Sequence, residues 1–101
     1  MRAALREAPW MSGISTRLSR RIQSDFPGPG SADEILRLVS EASDDERVQA
    51  AIVLWAGGDV ARLQDAVRVA GEDWRDVLVR GGLADEDWRE KMDLALGPAL
   101  P

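Results

Sequence analysis

The sequence predicts an all-α domain, a compact bundle of five to six short helices joined by very short loops. Three observations carry that expectation. Apolar residues recur at three- and four-residue intervals through most of the chain, serine- or aspartate-led starts precede them, and glycines follow them, in pairs at 57–58 and 81–82. Strand signals are nearly missing, since only 50–54 and 77–79 tolerate β structure and both lie inside helical spacing.

The elements follow in order. Residues 1–13 hold Pro9, Gly13, Arg2 and Arg6 with scattered apolar positions, and read as a mobile basic lead-in. A single helical domain is expected over 14–97, with a frayed tail at 98–101. Ile14, Leu18 and Ile22 fall four apart and make a narrow stripe, which leaves Arg17, Arg20 and Arg21 facing outward. Phe26 closes that helix, and Pro-Gly-Pro-Gly at 27–30 stops it.

Ser31-Ala-Asp-Glu34 and Ser43-Asp-Asp-Glu46 both match the capping box, in which the serine oxygen accepts an orphan amide and the glutamate reaches back to the cap. Two helices are thereby expected, at about 32–42 and 44–56. The first turns in Ile35, Leu36, Val39 and Ala42. The second turns in Val48, Ala51, Ile52 and Trp55, and Val53 and Leu54 widen its apolar face enough to place it at the centre of the core. Gly57 and Gly58 end it.

Asp59 caps a fourth helix with Val60, Leu63, Val67 and Ala70 on one face, ended by Gly71. A fifth, near 72–80, turns in Trp74, Val77 and Leu78. A sixth, near 85–96, turns in Trp88, Met92 and Ala95 before Gly97-Pro98. The last two share the tetrapeptide Glu-Asp-Trp-Arg, at 72–75 and 86–89, which sets acids at a helix start and then one large aromatic where the helix meets a core. Core anchoring is therefore expected of Trp55, Trp74 and Trp88.

The composition narrows the chemistry. Among 101 residues there is no cysteine, histidine or tyrosine, which removes disulfides, thiolate metal sites, cysteine nucleophiles and the commonest general base. The chain reads as non-enzymatic, with no cofactor or metal site. The acids at 44–46 and 85–87 stand at helix starts, where the dipole favours them, and lack the alternating spacing of a calcium loop. Surface charges at i,i+4 spacing, Asp33 with Arg37, Asp76 with Arg80, Asp87 with Lys91 and Arg89 with Asp93, read as a solvated, paired face. Neither glycine pair carries the spacing of a phosphate-binding loop.

The net charge of −5 is unevenly divided. Residues 1–24 hold five arginines against Glu7, whereas 25–101 hold eight basic against seventeen acidic residues. An acidic body repels nucleic acid and anionic membranes, so the basic head is where a partner would dock. Trp10, beside Pro9 and close to arginines, has the make-up of a binding anchor. The expected contact residues are thus Trp10, Arg17, Arg20 and Arg21, on a protein-interaction or regulatory module that binds a protein partner or a second copy of itself. The alternative is nucleic-acid binding through the same helix. The chain lacks the roughly eighteen-residue apolar run of a membrane span and a secretory leader, so no membrane association and a cytoplasmic location are expected.

Residues 46–97, with Arg-Val-Gln-Ala-Ala at 47–51, Ala-Gly-Gly-Asp at 56–59, Asp-Trp-Arg-Asp-Val-Leu-Val at 73–79 and Gly-Leu-Ala-Asp-Glu-Asp-Trp at 82–88, resemble small helical proteins of high-GC bacteria. The shared motifs are packing motifs. The resemblance implies a helical fold and a cytoplasmic setting, and it implies no activity.

Overall fold

The computed structural model describes residues 13–98. Over that range it is all-α, with six helices and no strand: α1 (Thr16–Asp25), α2 (Ser31–Ala42), α3 (Glu46–Ala56), α4 (Val60–Glu72), α5 (Trp74–Arg80) and α6 (Trp88–Leu96). The residues assigned to the lead-in at 1–12, Trp10 included, and those of the tail at 99–101 lie outside the described residues.

The middle helix organises the rest. Ala50, Ala51, Ile52, Val53 and Ala56 are fully buried, and α3 packs against α1, α2, α4 and α5. Leu18, Ile22 and Phe26 close the core from α1, Ile35, Leu36 and Val39 from α2, Leu63, Ala66 and Ala70 from α4, and Val77 and Leu78 from α5. Helix α6 rests on α1 and contributes Met92. Helical spacing marks all of these positions except Ala50, Ala56 and Ala66. Val60, expected inward, is instead exposed at the first turn of α4.

Neither serine capping box forms. Gly30 takes the left-handed conformation (φ 75°) and becomes the cap of α2, so Ser31 is already helical and Glu34 turns to Arg37 at 2.6 Å. At the second site the start shifts by two residues: Asp45 caps α3 by accepting from the Arg47 amide at 2.8 Å, while Ser43 Oγ accepts from the Asp45 amide at 3.0 Å. Glu46 is thereby released from capping. Helix α4 runs through Gly71 to Glu72, because Asp73 both ends it and starts α5: its amide donates to Val69 O at 2.6 Å and its carboxylate accepts from the Arg75 amide at 3.1 Å.

One glycine is required by proximity. A Cβ built on Gly81 would lie 2.5 Å from Ala51 O and 2.6 Å from Ala51 Cα, so the end of α5 meets the backbone of α3 where no side chain fits. The next residue, Gly82 (φ 79°), turns the chain so that its amide donates to Val79 O at 3.1 Å and that of Leu83 to Leu78 O at 2.8 Å. This is the Schellman closure, and its hydrophobic pair, Leu78 and Leu83, is buried.

Candidate functional site

Two of the three arginines expected to face outward are bound within the chain. Arg17, on α1, leaves only 11% of its side chain exposed. Its Nε and Nη2 donate to the two carboxylate oxygens of Glu46 on α3, at 2.9 and 3.1 Å, and its Nη1 donates to Asp93 Oδ1 at 2.7 Å and Gly97 O at 2.9 Å. Arg21 pairs with Asp25 at 3.0 Å and donates to Ala95 O at 2.9 Å. Arg20 is exposed and has no ion-pair partner among the described residues.

Arg17 therefore works as a clamp. One planar fork ties α1 to α3 and to the end of α6, and Ser15 Oγ completes the site by donating to Glu46 Oε2 at 2.6 Å. The guanidinium and, secondarily, the serine hydroxyl hold the Glu46 carboxyl below its ordinary range against the opposing effect of burial. The Arg17 guanidinium is held further above its already high range by hydrogen bonding to Glu46. With Trp88 and Arg89 these residues line a cleft of about 310 Å³. Of its four acid and base groups, Arg17, Glu46 and Asp93 satisfy one another and Arg89 stacks on Trp88, which is the signature of a structural joint.

The second cleft differs in kind. It measures about 290 Å³ and is lined by Ala42 and Ser43 at the end of α2, Asp45 and Val48 at the start of α3, Ala70 on α4 and Trp74 on α5. Trp74 was expected in the core, yet half of it is exposed. The reason is its register: it shares a face with Val77 and Leu78 but is the first residue of a seven-residue helix, so it overhangs the rim of the core. An indole is thus left as one wall of a depression that joins the apolar Ala42, Val48 and Ala70 to the polar Ser43 and Asp45.

The two copies of the tetrapeptide diverge in what their indoles meet. In each, the arginine that follows stacks on the ring, with Arg75 5.4 Å from the Trp74 centroid and Arg89 4.4 Å from that of Trp88. Trp88 also receives Arg47, at 4.5 Å, and packs against the core. Trp55 is half-buried, with Arg80 5.0 Å over its ring. Core anchoring is thus partial for Trp55 and Trp88 and fails for Trp74. The other large exposed apolar residues, Val60, Val79 and Leu94, line neither cleft.

The expected surface pairs form only in part. Arg80 meets Asp76 at 2.9 Å, and Lys91 meets Asp87 at 3.4 Å and Asp85 at 3.0 Å. Arg37 passes over Asp33 for Glu34 and Glu41, and Asp93 pairs with Arg17 in place of Arg89. Arg68 pairs with Asp65 and Glu72.

Gln49 went unnoticed in the sequence. It is 1% exposed, and its amide nitrogen donates to Gly13 O at 2.9 Å and Ser43 O at 2.6 Å, which ties the entry of the chain to the end of α2. Its Oε1 has no partner among the described residues. The spacing to Ile52, Val53 and Ala56 is the signal that would have placed it inward.

Among the described residues no group of three or more acidic side chains is placed to hold a metal ion, and no helix is long and apolar enough to cross a membrane. Comparison with protein-family models, with curated proteins and with solved structures gives no match. The fold itself supports the helical part of the resemblance drawn from the motifs at 46–97.

Proposed function

We propose that this domain is a protein-interaction module, working in the cytoplasm of a high-GC bacterium, whose contact surface is the Trp74 cleft. The observation that carries the reading is a half-exposed indole walling a depression with the apolar Ala42, Val48 and Ala70 and the polar Ser43 and Asp45. Tryptophan left partly in water at a concave apolar surface is the usual anchor of a protein contact. A catalytic reading has less support, because Arg17, Glu46 and Asp93 of the other cleft are neutralised by mutual pairing.

The first helix moves from contact surface to scaffold in this proposal. With Arg17 and Arg21 engaged internally, Arg20 is the one of the three α1 arginines left to meet nucleic acid, and the described residues hold eleven basic against seventeen acidic groups. The same engagement weakens the idea of α1 lying across a second copy.

Site-specific photo-crosslinking in the native host tests the proposal. A crosslinking amino acid at Ser43 is expected to give a discrete protein adduct that Trp74→Ala abolishes, while the same group at Ser24 on α1 gives none. Adducts from Ser24 alone would overturn it.

A further inference from the structure

The Trp74 cleft has one carboxylate in its lining and two exposed ones beside its lining residues in the chain. Asp45 lines it, Asp44 precedes that residue, and Asp73 precedes Trp74; among the described residues none of the three carboxylates has an ion-pair partner. Arg75, stacked on the indole, is the basic residue beside them. The other cleft presents the opposite pattern, with its Glu46 and Asp93 both held by Arg17. A floor of Ala42, Val48 and Ala70 takes an apolar side chain, and unpaired carboxylates at its edge take cations.

From this complementarity we infer that the occupant of the cleft is a short peptide segment of a partner protein that presents one apolar anchor side chain flanked by lysine or arginine. The inference rests on the interaction reading and adds the chemistry of the ligand. The apolar anchor supplies contact area against Trp74, and the flanking cations answer Asp44, Asp45 and Asp73. Acidic or phosphorylated segments are repelled by the same carboxylates.

Two of these acids also cap helices, so the test must separate charge from folding. Asp45→Asn with Asp73→Asn does so, because asparagine accepts the capping hydrogen bond as well as aspartate while removing the charge. The full-length protein would be used to select from a random-sequence displayed peptide library, with the Trp74→Ala protein as counter-target. Selected peptides are expected to carry net positive charge around an apolar residue. Their affinity should fall at least about tenfold with Trp74→Ala, the loss expected of a central aromatic anchor. It should fall by about threefold or more with the double asparagine variant at low salt, and the difference should shrink as salt rises.

Peptides that depend on Trp74 but are neutral or acidic, or that bind the asparagine variant equally well, would overturn the inference about charge and leave the cleft as a contact surface. Failure to select any Trp74-dependent peptide would overturn both.

Discussion

Arg17 and Glu46 meet through two parallel hydrogen bonds, at 2.9 and 3.1 Å, across the boundary between α1 and α3. The arginine side chain is nearly buried while the glutamate keeps one edge in water. Such a fork fixes both position and angle, since displacing either helix breaks two bonds together. A double-mutant cycle between Arg17→Ala and Glu46→Ala should therefore give a coupling of about 1 to 3 kcal/mol, clearly larger than that of the exposed pair Arg68 and Asp65, which water screens. Equal couplings for the two pairs, measured by urea denaturation, would contradict the clamp.

The same contact predicts a pH dependence. Glu46 is held below its ordinary value in the folded protein, so below that range the unfolded chain takes up a proton more readily and stability rises with pH. The contribution is fully present above about 4.5, the ordinary value, and is lost as pH falls through the lower folded value. Folding free energies of the wild type and Glu46→Gln, measured from pH 6 downwards, should converge in acid. Parallel curves would show that Glu46 titrates as it does when unfolded.

Gly81 and Gly82 are neighbours with different duties. Alanine at 81 drives a methyl into the Ala51 backbone and should destabilise by about 2 to 3 kcal/mol or more, as overpacking against backbone does. Alanine at 82 meets open space but must hold a left-handed conformation, which costs about 1 to 2 kcal/mol. Thermal and urea unfolding of the two variants give the order, and a neutral Gly81→Ala would mean that α5 does not approach α3 so closely.

The two echoed tryptophans should separate in the same assay. Trp74→Ala removes a ring half in water and should change stability by less than about 1 kcal/mol, whereas Trp88→Ala strips the partner of both Arg47 and Arg89 and should cost about 2 kcal/mol or more. Similar losses would place Trp74 in the core after all.

Much of the fold was legible because periodicity reports burial directly. Leu18, Ile22, Ile35, Val39, Ile52, Leu63, Val77 and Met92 fall on the faces that the spacing turns inward, and all are buried. The misreadings share one cause, which is that a local motif names a capability and the surroundings choose its use. Ser43 and Glu46 could form a capping box, but Asp45 caps more simply and Arg17, twenty-nine residues away, offers the glutamate a stronger partner. The tetrapeptide at 72–75 specifies a helix start and an indole, yet whether that indole meets a core depends on how far α5 extends past its rim. Gly81 looked like a stop because its contact with Ala51 crosses thirty residues of chain. Trp10, the remaining expected contact residue, lies outside the described residues.

The measurement that bears most directly on the cleft as the working surface is hydrogen exchange of the full-length protein with and without a selected cleft peptide. A Trp74-centred contact predicts new protection around residues 42–48 and 70–75, with Thr16–Asp25 unchanged because α1 serves as scaffold. Protection confined to Thr16–Asp25, with none near Trp74, would contradict it.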